Sequence, residues 1–230
     1  MTTLAVDIGG TSIKMLAVND QGVPVTETLA EAMPSPATPE SVFGLLRDMA
    51  STLPAYRRAS VGFPGVVKNG VAYNAPNLDD GLWRDIHLDE RLTQQLQRPV
   101  HVVNDVDLQG LGVVTGKGVE LVLTLGTGMG SALFSDGVLV PNLELGHHPL
   151  REEQTYEDLV RDSELKRIGA VAWTARVLDA VEQIEPIFNY DMLHLGGGNV
   201  RHLRAELPKN VRTFLLAEAM RGALKLWDEA

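Results

Sequence analysis

Apolar residues recur along the chain with two different periods. Near the N-terminus Leu4-Ala5-Val6-Asp7 is a short apolar run that breaks at Gly9-Gly10. Ser12-Ile13-Lys14-Met15-Leu16-Ala17-Val18 follows it. Both read as strands, and Asn19-Asp20-Gln21-Gly22 reads as the turn into a third strand over 23–29. The N-terminus is thus an antiparallel meander. After a proline-rich link (Pro34, Pro36, Pro39), Val42, Phe43, Leu45, Leu46 and Met49 share one helical face, so Pro39 opens an amphipathic helix. Residues 59–63 form a short buried strand ending in Pro64-Gly65, and residues 66–73 a hairpin turning at Asn69-Gly70. A helix is expected over 88–96. The strand Val100-His101-Val102-Val103 then delivers Asn104-Asp105 to its carboxyl end, where another helix starts.

A second meander begins at Glu120. It has a strand over 121–125, a glycine turn, a partner strand over 131–134 and a further turn at Asp136-Gly137. Residues 155–187 are mostly helical. Residues 191–195 form the last clear strand, running into Gly196-Gly197-Gly198 and a helix, and a helix over 215–227 closes the chain. Sliding the sequence by 117 residues lays the first meander on the second, with Leu4/Leu121, Gly9/Gly126 and Leu16/Leu133 identical. The identity is thin, but the shared order of strand, glycine turn, strand and Asx-Gly turn predicts two lobes with one strand core each, facing across a cleft.

Composition narrows the function. The 230 residues suit one large domain or two small lobes, and no apolar run approaches the roughly 20 residues of a membrane helix. The start lacks the basic flank and apolar stretch of a signal peptide, so a cytoplasmic protein is expected. No cysteine is present, which excludes disulfides and thiolate zinc sites. A net charge of -10 argues against nucleic-acid and anionic-membrane binding.

Several residues can carry chemistry. In Asp7-Ile8-Gly9-Gly10-Thr11, glycines at a strand end let backbone amides converge on an anion, Thr11 adds a hydroxyl, and Asp7 can hold a hydrated magnesium ion. A tight hairpin with an exposed Asp is the plainer reading. The second turn, Leu125-Gly126-Thr127-Gly128-Met129-Gly130, favours a clamped phosphate. Asp105 is a helix cap, a general base for a sugar hydroxyl, or both. Glu144 and His147, and Asn77 after Ala75-Pro76, are either polar turns or hydroxyl ligands. Gly196, Gly197 and Gly198 are either a flexible loop or a close approach to a nucleotide.

In this order the motifs resemble the ROK family of sugar kinases, in its polyphosphate glucokinase-like branch. The likeness also includes Gly62-Phe63-Pro64-Gly65-Val66-Val67 and Ala75-Pro76-Asn77-Leu78, and spans about positions 4–230. It implies an α/β, two-lobed actin/hexokinase-like (ribonuclease H-like) fold, divided at 106/107, with the last helix able to pack back on the first lobe. It implies a kinase that phosphorylates a hexose, glucose first, from ATP or polyphosphate. Asp105 would be the base, and Gly65, Asn77, Asn104, Asp105, Glu144 and His147 would form the sugar site. Gly9, Gly10, Thr11, Gly126, Thr127, Gly128 and Gly130 would hold phosphate with Mg2+ near Asp7, and Gly196, Gly197 and Gly198 the nucleotide. Many members carry a cysteine-rich zinc motif where this chain has Leu150-Arg151-Glu152-Glu153-Gln154-Thr155, so zinc should be absent. No second sugar-binding carboxylate is assigned in residues 155–168. A homodimer is the expected assembly. The alternative is a catalytically weak sugar-binding or regulatory relative without a DNA-binding domain.

Overall fold

A computed structural model describes residues 2–151 and 153–228. They fall into two compact units. One comprises the chain up to Gly112 together with the segment from Ala217 onward. The other is Val113–Leu216. The division thus falls at the end of the helix that begins at Asp105, and the C-terminal segment belongs to the first unit.

The first unit is built on a five-stranded sheet. Its strands are β1 (Thr3–Ile8), β2 (Ser12–Val18), β3 (Leu29–Ala32), β4 (Arg58–Phe63) and, after a small hairpin of β5 (Val67–Lys68) and β6 (Val71–Ala72), β7 (Val100–Asn104). The order is β3-β2-β1-β4-β7; β1, β2 and β3 are antiparallel neighbours, and β1, β4 and β7 are parallel. Alternation sorts the side chains by face. Leu4, Val6, Ile8, Ile13, Met15, Val61 and Phe63 join one core with residues of α1 (Pro39–Ser51). Thr38 caps α1 and accepts the Ser41 amide at 3.2 Å. After a short turn of helix, α2 (Asp80–Trp83), α3 (Leu88–Leu96) adds Leu88, Leu92 and Leu96 to that core. Asp7, Lys14, Ser60 and Gly62 alternate to the opposite face. This side takes α4 (Asp105–Val113) and the C-terminal segment: Ser60 donates to the Ala223 carbonyl at 2.6 Å, and Trp227 donates to Ser60 at 2.8 Å.

The second unit repeats that plan. β8 (Val119–Leu125), β9 (Met129–Ser135) and β10 (Val138–Val140) make the meander. A small hairpin, β11 (Pro149–Arg151) and β12 (Gln154–Thr155), leads into α5 (Tyr156–Val160), α6 (Asp162–Ile168) and α7 (Ala170–Phe188). β13 (Met192–Gly196) and β14 (Val211–Thr213) complete the sheet. The order β10-β9-β8-β13-β14 has the same pattern of antiparallel and parallel neighbours as the first sheet. One face packs Leu121, Leu123, Leu125, Leu193 and Leu195 against Trp173, Val177 and Ile184 of α7 and Tyr156 and Leu159 of α5.

The registers differ by one residue. Ile8 pairs with Ile13 across the first turn, and Leu125 pairs with Met129 across the second, so the second turn is one residue shorter. Leu4 faces Ala17 while Leu121 faces Leu133, so Leu16 and Leu133 are not equivalent positions. Thr11 and Thr127, each two residues before the paired strand residue, are equivalent.

Three expectations need correction. The third strand is Leu29–Ala32, not 23–29, and Val23 and Val25 are about half exposed. The helix expected over 215–227 is two short pieces, Leu216–Ala219 and Gly222–Lys225. A Cβ on Gly222 would stand 2.2 Å from the Leu108 carbonyl, so the chain passes α4 closely there. Only a 3-10 turn, Val200–His202, follows the three glycines.

Candidate active site

In the first unit, the turn between β1 and β2 closes when the Gly9 amide donates to the Ser12 carbonyl at 2.9 Å. The next two amides, of Gly10 and Thr11, have no protein acceptor among the described residues, and Thr11 is exposed. Beside this turn lies Asn77: a Cβ on Gly10 would stand 3.0 Å from the Asn77 Cβ. Asp7, at the end of β1, is buried. Gln109 Nε2 donates to its Oδ1 at 3.1 Å, and Lys14 Nζ, across the strand pair, is 3.9 Å from Oδ2. Burial pushes the Asp7 carboxyl above its ordinary range, against the pull of Lys14 and Gln109.

The β7–α4 junction carries the Asx pair. Asn104 is the cap: its Oδ1 accepts the amides of Val106 (2.9 Å) and Asp107 (3.2 Å). Its Nδ2 donates to the Gly65 carbonyl at 3.2 Å. Asp105 is the first residue of the helix, half-buried, with Oδ1 accepting the Val106 amide at 2.9 Å. Asp105 and Gln109 are four residues apart and share one face of α4. The helix that presents Asp105 therefore also grips Asp7. Two glycines make room for this. A Cβ on Gly62 would stand 2.8 Å from the Asp105 Cα, and one on Gly65 would stand 2.1 Å from the Asn74 carbonyl oxygen.

In the second unit, the Gly126 amide donates to the Gly128 carbonyl at 3.0 Å. Again the next two amides, of Thr127 and Gly128, have no protein acceptor among the described residues. The Met129 amide donates to Glu157 Oε2 at 2.8 Å. Gly130 lies within β9, paired with Thr124, and so stands in the ladder rather than in the turn. The segment carrying Glu144 and His147 is held against the turn. Ser131 Oγ donates to the Leu143 carbonyl (2.6 Å) and accepts the Leu145 amide (3.0 Å), and a Cβ on Gly146 would stand 2.2 Å from the Met129 carbonyl. His147 Nδ1 is 3.7 Å from Glu144 Oε2. Burial raises the Glu144 carboxyl above its usual range; His147 opposes this and Glu157 adds to it.

The three late glycines divide. A Cβ on Gly196 would strike the Phe214 ring at 2.0 Å. Gly197 has φ +87° and packs on Leu125, where a Cβ would meet the carbonyl at 2.3 Å. Both therefore have packing reasons, and a Cβ on Gly198 meets nothing within 4 Å. Among the described residues no cluster of His, Asp and Glu could hold a metal by itself.

Sequence reasoning missed Lys14, Gln109 and Glu157, each of which reaches the site only through the fold. It also missed a buried polar set on the other face of the second sheet. Glu120, fully buried, accepts from Thr115, Gly116 and Lys117, and lies 2.8 Å from His194 Nε2. Arg212 Nε donates to His194 Nδ1 at 2.8 Å, which leaves Nε2 to carry the proton toward Glu120.

A duplicated strand core whose two glycine turns each present two adjacent amides, with a carboxylate at a strand-to-helix junction, defines the actin/hexokinase-like phosphotransferase class. The ROK family model matches residues 3–156, and the chain belongs to the ROK family. It is 31% identical to polyphosphate glucokinase of Mycobacterium leprae, over 94% of this chain and 70% of that protein. The crystal structure of inorganic polyphosphate/ATP-glucomannokinase from Arthrobacter sp. strain KM is 31% identical, with a TM-score of 0.86 over 98% of this chain and 97% of that one. A ROK glucokinase from Streptomyces griseus, solved with glucose and AMPPNP, shares the fold at 19% identity and a TM-score of 0.79, over 98% of this chain and 99% of that one.

Proposed function

We propose that this chain is a hexose kinase that transfers the terminal phosphoryl group of ATP or polyphosphate to a sugar hydroxyl, with glucose as the first acceptor to test. The observation that carries this is the single helix α4, which presents Asp105 and fixes Asp7 through Gln109. Asp105, at the helix N-terminus, favours its ionised form. It takes the proton of the attacking hydroxyl as the sugar oxygen bonds to phosphorus. The bond to the bridging oxygen breaks, releasing ADP or a polyphosphate shorter by one unit. In the first unit Asn77 and Asn104 are candidate hydroxyl ligands; in the second unit Glu144, His147 and Glu157 are. The amides of Gly10, Thr11, Thr127 and Gly128 face phosphate oxygens.

Magnesium binds through one or two carboxylates with phosphates and water supplying the rest. One buried carboxylate, Asp7, beneath an amide-lined turn fits that demand. Bound there with the donor, the ion would neutralise charge on the phosphate oxygens. The segment where many relatives carry zinc ligands is instead a backbone-paired hairpin. It closes on a capping box in which Thr155 and Asp158 exchange hydrogen bonds; Glu152 lies outside the described residues. We therefore assign no zinc. Among the described residues no helix is long and apolar enough to cross a membrane. A cytoplasmic protein that binds no nucleic acid fits the acidic, cysteine-free composition, and a homodimer is the assembly we assign as the commonest symmetric one.

A coupled assay of hexoses with ATP and with polyphosphate tests the reading. Glucose 6-phosphate formed from glucose is the expected result. Calorimetric sugar binding with no phosphorylation of any acceptor would overturn it and favour a sugar-binding protein that has lost catalysis.

A further inference from the structure

β13 ends beside the second phosphate turn, and the chain is fastened to that turn as it leaves the sheet. The Asn199 amide donates to the Leu125 carbonyl at 3.0 Å, and Asn199 Nδ2 donates to the Gly126 carbonyl at 3.3 Å. Asn199 is buried, whereas Gly197 and Gly198 before it are exposed. The 3-10 turn Val200–His202 follows, and Arg201 and Arg204 are both exposed. Arg204 Nη1 donates to the carbonyls of Arg201 and Leu203, each at 2.9 Å, so its guanidinium folds back onto the turn that carries Arg201. Arg201 Nε donates to His202 Nε2 at 3.1 Å. Among the described residues neither guanidinium forms an ion pair, not even with the exposed Glu206 close by in the chain. Arg151, Arg161, Arg167 and Arg176 of the same unit each pair with a carboxylate. Two like charges on one short turn repel unless an anion joins them. The chain carries a net charge of -10, yet none of its described carboxylates serves here.

We propose that Arg201 and Arg204 form a landing site for the distal phosphates of an inorganic polyphosphate, and so make a long polyanion a better donor than ATP. This rests on the kinase reading above and deepens it by naming the donor. The Thr127 and Gly128 amides take the phosphates nearest the transferred group. Arg201 stands two residues beyond Asn199, up to about 7 Å of backbone, so it meets phosphates further along the donor. Gly198 leaves the way open, since a Cβ there meets nothing within 4 Å. A planar guanidinium takes two phosphate oxygens at once, and two neighbouring ones hold successive phosphates of a repeating anion. The triphosphate of ATP gives way to an uncharged nucleoside at that distance and gains little from them.

The test is the double variant Arg201→Gln/Arg204→Gln, assayed on glucose with long-chain polyphosphate, tripolyphosphate and ATP. The expected result is a KM for long-chain polyphosphate raised about tenfold or more, the scale of a lost charged hydrogen bond. The KM values for ATP, tripolyphosphate and glucose should stay within about twofold of wild type. Calorimetry with long-chain polyphosphate alone should show the same loss of affinity. Its salt dependence should be shallower than in wild type, because fewer counterions are released. An unchanged KM for long-chain polyphosphate would overturn the proposal, as would an equal rise for ATP or a wild-type protein that binds no polyphosphate. A wild-type protein that binds long-chain polyphosphate but phosphorylates no sugar would defeat the kinase reading instead, and the calorimetric arm would still decide the landing site. Thermal melting identifies a misfolded double variant. Arg201→Gln alone, whose lost side chain bonds only His202, must then still raise the long-chain KM about threefold.

Discussion

Gly62→Ala probes the support of the proposed base without touching it. The new Cβ would meet the Asp105 Cα at 2.8 Å, the Asp105 Cβ at 3.3 Å and Leu108 Cδ2 at 3.3 Å. Ordinary contact begins near 3.4 Å, so the first turn of α4 must retreat by about 0.6 Å, and the nearest atom is backbone. β4 cannot give way easily, because it is paired on both sides, to β1 and β7. Over-packing of this kind costs about 1–3 kcal/mol of stability. A displacement approaching 1 Å at a reacting group costs up to about a hundredfold in rate. The expected outcome is a folded enzyme whose kcat falls about ten- to a hundredfold, with donor KM little changed. Steady-state kinetics with a coupled assay reads this, and thermal melting reads the stability. A kcat within twofold of wild type in a protein destabilised by 1 kcal/mol or more would show that the seating of α4 on Gly62 does not set catalysis.

Other outcomes follow from the charges and the metal fit. Burial pushes Glu120 up, but the amides of Thr115, Gly116 and Lys117, with His194, outweigh it and hold the carboxyl below its ordinary value. Asp158 is lowered by the Thr155 amide and hydroxyl, and Glu164 by Arg167 and Arg176 to about 2. Groups lowered in this way stabilise the fold above their unfolded pKa, and that stability is lost as pH falls through the folded value. All three lie in the second unit, where among the described carboxyls only Glu144 is raised; in the first unit Asp7 and Asp89 are raised and lose nothing on protonation, and only the surface Glu40 is lowered, by its backbone hydrogen bond and Arg91. Acid titration from about pH 4.5 toward 2 should therefore unfold the second unit first. Single-tryptophan variants retaining Trp173 or Trp83 report this by fluorescence, and simultaneous loss of both signals would contradict it. A chelator should abolish turnover, magnesium should restore it, and the melting temperature should stay unchanged. Elemental analysis should find no zinc in the purified protein, and stoichiometric zinc would refute the assignment.

What the sequence conveyed depended on how local each signal was. β1, β2, α1, α3, β7 and β8 announce themselves through periodicity and through Gly, Pro and Asn at their ends. The duplication was legible as an order of elements, but the one-residue difference between the turns was not, because it is a property of strand pairing. Val23 and Val25 imitate a strand yet lie in an exposed segment. The true β3, with Ala30 and Glu31, is a poor strand former that is imposed by pairing with β2. β14 is three residues long and is defined only by its partner β13. At the site, Asp105 and Asn104 could be located, but not which of them caps the helix. Gln109 reaches Asp7 across 102 positions, and Glu157 reaches Met129 across 28. No spacing rule encodes such pairs. The turn glycines were legible as glycines, but the atoms that exclude a Cβ at Gly128, Gly196 and Gly197 belong to distant segments.

The central claim is that Asp105 takes the proton of the acceptor hydroxyl. The most direct test is a single-turnover phosphoryl-transfer rate for Asp105→Asn, with glucose affinity measured calorimetrically on the same preparation. Asn104 rather than Asp105 caps α4, so the helix should persist. The account predicts a rate lower by about a hundredfold or more, the scale of a lost general base, with glucose affinity within about threefold of wild type. A near-normal transfer rate, or lost glucose binding in a protein that still melts like wild type, would contradict it.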